Sequence, residues 1–218
     1  MSTRKVVAEF LGTFLFLTIG YASVAAFRVA AVPGLLVVAF AFPFGLLAAI
    51  FAFGHISGGH YNPAVTIAMV LDKRTTMVNA LGYIVAQVLG ALAAGIVVLV
   101  VAGQAAVAAG ATKPGPGITE IGALILEVVL TAGFVGVILA STKHATSLAA
   151  LAIPLSLVAI HFAAAPLSGA SVNPARSIGS AVIGGDLGSL WVYIVAPVVG
   201  ALIGWGIYSF AAAQDEPA

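Results

Sequence analysis

Residues 57–64 read Ser57-Gly58-Gly59-His60-Tyr61-Asn62-Pro63-Ala64, and residues 168–175 read Ser168-Gly169-Ala170-Ser171-Val172-Asn173-Pro174-Ala175. The two stretches lie 111 residues apart and repeat Ser, Gly, Asn, Pro and Ala at matching positions. Asn is a favoured helix N-cap, and Pro is favoured at the first helical position, where its missing N–H costs nothing. Each motif therefore predicts a helix start. The apolar run that follows is short, 62–71 in one case and 173–183 in the other. Ten residues of helix reach ~15 Å, about half the hydrocarbon of a bilayer. Neither run can span alone, but two that enter from opposite faces and meet tip to tip can.

The repeat extends outward from these motifs. At the same offset Pro43 falls on Pro154, and one residue less aligns 83–92 (YIVAQVLGAL) with 193–202 (YIVAPVVGAL). Glu9-x-x-x-Thr13 is echoed by Glu127-x-x-x-Thr131. Six stretches are long and apolar enough to cross a bilayer: roughly 6–26, 35–53, 78–101, 118–140, 148–165 and 190–210. They are continuously apolar, without the two-residue alternation of a membrane barrel, so they predict helices. Each half holds three spans, an odd number, so the second half enters the membrane from the other side. The expected architecture is an all-α membrane protein with six transmembrane helices, two reentrant half-helices and an inverted repeat. It forms a single channel domain over 1–218, with repeat one at about 1–103 and repeat two at about 118–218.

Composition agrees with this plan. Hydrophobic residues make up 62% of the 218 and charged residues 7%, against roughly 45–50% and about 25% in soluble domains. A net charge of +1 builds no nucleic-acid face, and the absence of Cys excludes disulfides, thiolate metal clusters and Cys nucleophiles. Arg4, Lys5, Lys73, Arg74 and Lys143 fall on one side of the predicted spans, and Arg28 and Lys113 on the other. Positive charge then places both termini in the cytoplasm. The expected location is the cell membrane, multi-pass, with the lipid bilayer as partner. The tail from Gln214 to Ala218 is polar and reads as disordered.

Two opposed helix N-termini, each with roughly half a positive charge, repel cations and protons at the midplane. The Asn62 and Asn173 side chains add donors there. Residues 57–60 and 168–171 would be extended backbone at membrane depth, which survives only when buried in protein or lining a water-filled cavity. Gly58, Gly59, His60 and Ser171 are the expected carbonyl contributors. A wall of acceptors with two donors at its centre suits a small neutral molecule that both donates and accepts. A lone Asn-Pro would be read as an ordinary capped surface helix, and the matched pair argues against that. Arg176, the lone charge of the second reentrant segment, faces a cavity or a partner at this depth.

These blocks, His60-x-Asn62-Pro63-Ala64-Val65-Thr66 and Asn173-Pro174-Ala175-Arg176-Ser177 within six spans, resemble the aquaporins of the major intrinsic protein family over the whole chain. The resemblance implies a right-handed bundle, a pore in each subunit, a homotetramer, and water as permeant. It also implies an outer selectivity filter of Phe42, His161, Ala170 and Arg176, carried over by their spacing from the Asn residues. Phe42 and His161 with Arg176 resemble the water-selective pattern. Ser177 and Ala181 stand where glycerol facilitators typically have Asp and a basic residue. Ala170, Ile194 (where many water channels have Trp) and Pro43 depart from that pattern, so a glycerol or small-solute facilitator stays as the alternative.

Glu9 and Glu127 are intramembrane carboxylates, open to a proton-relay reading. The resemblance suggests that they instead accept hydrogen bonds from the reentrant backbone. His55 and His60 are a weak metal pair with no carboxylate nearby. No catalytic constellation, cofactor or metal site is expected, and the chain does not read as an enzyme. An ion-coupled transporter and a closed, adhesive membrane protein are the rival classes.

Overall fold

A computed structural model describes residues 2–27 and 34–212. Arg28 and the tail from Gln214 to Ala218 lie outside the described residues. The chain runs through α1 (Thr3–Phe27), α2 (Gly34–Ala49), a π-helical turn (Ile50–Gly54), a single turn α3 (His55–Ser57), α4 (Pro63–Leu71), α5 (Met77–Ala102), α6 (Gln104–Ala109), α7 (Glu120–His144), α8 (Thr146–Ser168), α9 (Pro174–Gly184) and α10 (Val192–Ala212). Among the described residues six helices are long and apolar enough to cross a membrane, with α2 counted through to Ser57. The two motif segments are the short α4 and α9.

Local chemistry sets several boundaries. The fourth span starts at Glu120 rather than 118 because the Thr119 hydroxyl caps it, accepting from the Gly122 amide at 3.0 Å. Thr76 caps α5 in the same way. Pro43 and Pro154, the repeated pair, both sit inside continuous helices. Each removes one backbone donor from its helix. The irregular turn in α2 comes later, at Ile50–Gly54. The short α6 has no counterpart among the spans expected from sequence.

Packing repeats between the halves. α1 lies against α2 and α5, as α7 lies against α8 and α10; α2 meets α8 at the junction. The short helices cross over: α4 packs on α10, and α9 packs on α5. Small residues permit the close crossings. A Cβ on Gly90 would lie 2.6 Å from the Phe10 carbonyl oxygen, and one on Gly200 2.5 Å from that of Val128. Thr13 and Thr131 stand beside the two glycines.

Contacts identify the two ends of the bundle. Ser2 bonds Asn79, Arg74 bonds Thr142, and His144 contacts Tyr208, all at the end where α1 begins and α10 ends. Lys113 pairs with Asp186 and Ser189 bonds Glu120 at the other. Between the ends, large apolar side chains face outward from every span: Leu11, Phe44, Leu89, Ile125, Leu155 and Ile207. That apolar belt fits hydrocarbon rather than water.

Candidate functional site

The two loops that precede α4 and α9 fold alike. Gly58 and Gly169 close the preceding helices at φ 100° and 85°, a conformation that favours glycine. Gly59 and Ala170 follow in the same region at φ 67° and 48°, and Tyr61 and Val172 at φ 48° and 44°. Such non-glycine residues cost about 1–3 kcal/mol each and persist only where their surroundings hold them. A buried carboxylate holds each loop. Glu9 accepts from the Ser57 hydroxyl (2.6 Å) and from the amides of His60 (2.9 Å) and Tyr61 (2.7 Å). Glu127 accepts from the Ser168 hydroxyl (2.7 Å) and the amides of Ser171 and Val172 (both 2.8 Å). Gln87 adds a fourth donor to Glu9 at 2.7 Å; its register partner is Pro197, which has no such donor.

In a planar trans peptide the carbonyl points opposite the following amide hydrogen. The described residues contain no cis bond. Amides turned to Glu9 therefore turn the Gly59 and His60 carbonyls away from it, and the Ala170 and Ser171 carbonyls turn away from Glu127 likewise. Gly58, Gly59, His60, Tyr61, Ser171 and Val172 line one narrow cavity. Ala170 is fully buried and does not line it.

The cavity passes the tips of α4 and α9. Asn62 caps α4, accepting from the Ala64 amide at 2.9 Å. Asn173 caps α9, accepting from the Ala175 and Arg176 amides at 3.0 and 3.3 Å. Each amide nitrogen also donates to the opposite loop: Asn62 Nδ2 to the Val172 carbonyl (2.7 Å), and Asn173 Nδ2 to the Tyr61 carbonyl (3.0 Å). Both Asn line the cavity, while Pro63, Ala64, Pro174 and Ala175 are buried behind them.

On the side toward Gly110, Phe42, His161 and Arg176 converge. The Phe42 and His161 rings stack with centroids 5.5 Å apart, and Arg176 Cζ lies 4.7 Å from the Phe42 centroid. Arg176 Nη1 donates to the Gly110 carbonyl (2.5 Å) and to Ser180 Oγ (3.3 Å). Arg176 Nε has no protein partner. His161 Nδ1 lies 2.9 Å from the Leu157 carbonyl. A carbonyl only accepts, so Nδ1 carries the hydrogen and a neutral ring presents Nε2 as an acceptor. That Nε2 is likewise unpartnered. The converging groups thus include an unpartnered donor, Arg176 Nε, and an unpartnered acceptor, His161 Nε2.

The remaining cavity wall is apolar: Leu46, Val65, Met69, Ile138, Ile153 and Leu157. It ends beside Thr142, whose hydroxyl accepts from Arg74 Nη1 at 2.5 Å. Arg74 also binds Asp72 and the Leu139 carbonyl. Ser177, Ala181 and Ile194 do not line the cavity. Ser177 bonds Thr112 and Ser171, whereas Ile194 faces outward. His55 is exposed. No cluster of three metal-ligating side chains occurs among the described residues.

Sequence reasoning missed Gln87, Tyr21 and Gly110. A lone Gln in an apolar span was a usable signal. Nothing in the sequence tied Tyr21 or Gly110 to Arg176.

The chain matches the Major intrinsic protein family over residues 1–208. It is 40% identical to Aquaporin Z of Rhodopseudomonas palustris, over 95% of this chain and 93% of that protein. It is 41% identical to Glycerol uptake facilitator protein-like 6 of Lactiplantibacillus plantarum, over 92% and 94%. Mouse Aquaporin-4 is 36% identical over 97% of this chain and 68% of its own length. Among solved structures, the aquaglyceroporin of Plasmodium falciparum shares the fold with TM-score 0.88 at 24% identity, covering 97% of both chains.

Proposed function

The chain belongs to the major intrinsic protein family, and from that membership we propose that it conducts water passively, in single file, while excluding protons and ions. The cavity is the pore, and Phe42, His161 and Arg176 are its outer filter, with the Ala170 carbonyl behind them. The observation that carries this reading is the mutual contact of those three side chains, 5.5 and 4.7 Å from the Phe42 centroid. The unpartnered Arg176 Nε donor and His161 Nε2 acceptor suit a small molecule that, like water, both accepts and donates.

Midway, the two Asn caps present donors where two helix N-termini face each other. A water there turns its oxygen to the Asn amides. It therefore donates outward on both sides, and a hydrogen-bonded wire cannot pass a proton through it. Positive helix ends and Arg176 repel cations. The carbonyls of Gly58, Gly59, His60 and Ser171 supply the acceptors on either side.

The pore unit comprises both repeats, 1–103 and 118–218. Lys5, Arg74 and Lys143 near one end of the bundle favour that end as the cytoplasmic one, with the protein in the cell membrane. Assembly as a homotetramer rests on the family resemblance alone.

A glycerol facilitator is the second reading, favoured by the relative that carries that name. Stopped-flow light scattering of proteoliposomes separates the two. Fast shrinkage in both sucrose and glycerol, with no reswelling in glycerol beyond that of empty liposomes, supports the water channel. Fast reswelling in glycerol gives the facilitator the lead. Shrinkage no faster than that of empty liposomes rejects both.

A further inference from the structure

We infer that Gly20 and Tyr21, adjacent residues of α1 outside the pore wall, are positioning residues that set the bore of the filter. This inference rests on Phe42, His161 and Arg176 being the constriction. Tyr21 is 1% exposed and does not line the cavity, yet it touches three parts of the constriction. Its hydroxyl donates to the Arg176 carbonyl. Its ring meets the Phe42 ring edge-on, with centroids 6.0 Å apart. The guanidinium of Arg176 lies 5.9 Å from the same ring. A Cβ on Gly110, whose carbonyl receives Arg176 Nη1, would lie 3.8 Å from Tyr21 Cδ1.

Gly20 does the complementary work. A Cβ there would lie 2.3 Å from Phe42 Cδ1 and Cε1, so the ring can rest against α1 only because residue 20 has no side chain. Phe16, one turn earlier, meets Phe42 from another edge at 6.2 Å. α1 therefore forms the seat that keeps Phe42 out of the pore axis, and Tyr21 fixes the start of α9 from which Arg176 projects. An aromatic ring held on two edges cannot swing aside for a wider solute. A guanidinium on a tethered helix turn cannot withdraw from it either.

The test uses full-length protein in proteoliposomes and reads the ratio of glycerol to water permeability. Tyr21→Phe removes one hydrogen bond and keeps the ring. The ratio is expected to rise about fivefold, the worth of one neutral hydrogen bond, with water flux within about twofold of the parent. Tyr21→Ala empties the space beside Phe42 and raises the ratio further. Gly20→Ala pushes the ring toward the axis and lowers water flux about tenfold, the scale of a modest overpacking cost, in protein that elutes as the parent does. A simply structural role would lower yield or thermal stability and leave the ratio unchanged. An unchanged ratio in both Tyr21 variants overturns the inference. A parent that passes glycerol freely overturns water selectivity, and the variants' change in ratio still decides whether α1 sets the bore. A parent that passes neither solute overturns the channel reading. Crystal structures of parent and Tyr21→Ala then decide, and unmoved Phe42 and Arg176 side chains reject the positioning role.

Discussion

At the scale of single residues, each loop hangs on one carboxylate. Replacing Glu127 by Ala orphans the Ser171 and Val172 amides and leaves the Ser168 hydroxyl only the Ala164 carbonyl, at 3.5 Å, as acceptor. At about 1–3 kcal/mol per buried unpaired donor, the Glu127→Ala protein is expected to lose most of its folded yield in membranes, as read by size-exclusion chromatography of the extracted protein. Arg176→Val is gentler, because the Gly110 carbonyl that it leaves behind lines an outer pocket and Ser180 keeps its bonds to the residue 176 and Ser177 carbonyls. That variant is expected to keep its water flux and to gain proton and glycerol leak, measured with a pH dye and by reswelling. Unchanged selectivity would remove Arg176 from the filter.

At the scale of elements, the glycines at helix crossings carry the packing. A side chain at Gly200 meets the Val128 carbonyl at 2.5 Å and cannot be relieved by a rotamer change. Gly200→Leu is expected to destabilise by more than ~3 kcal/mol, beyond the usual overpacking range, whereas Gly133→Leu, with nothing within 4 Å of its Cβ, is expected to be near neutral. Thermal unfolding in detergent distinguishes the pair. The elements were largely legible before the structure, since long apolar runs and Asn-Pro caps are local signals. The six spans agree with the observed helices to within about four residues at their ends. What escaped was set by distant contacts. Helix α6 exists because Ala106 and Val107 are buried, with Ala108 against Gly184 of α9, and Tyr21 matters only because Arg176, 155 residues away, accepts its hydroxyl. The Asn caps and Arg176 were readable from the residues themselves, while Phe42, His161 and the role of the carboxylates came from the family resemblance; Phe42, His161, Arg176 and both Asn line one cavity. Ala170, carried over by the same resemblance, is buried and is not among the residues that line it.

At the scale of the whole molecule, the chain has no Cys. Thiol-directed mercury block is therefore expected to be absent, and Leu157→Cys, which places a thiol on the pore wall, is expected to introduce it; osmotic shrinkage with and without mercury chloride measures both. The crossed packing of the short helices also bears on how the molecule is made. α4 rests on α10, the sixth of the described spans, and Asn62 donates to Val172 in the later half. A reentrant segment made with the first three spans therefore has part of its final surroundings, α10 and the Val172 carbonyl, in sequence made later. Glu9 can hold that segment in the meantime, because its partners Ser57, His60, Tyr61 and Gln87 all belong to the first half. The first repeat thus carries within itself every donor that holds its own reentrant loop, whereas the Asn62 and Asn173 bonds at the centre need both halves.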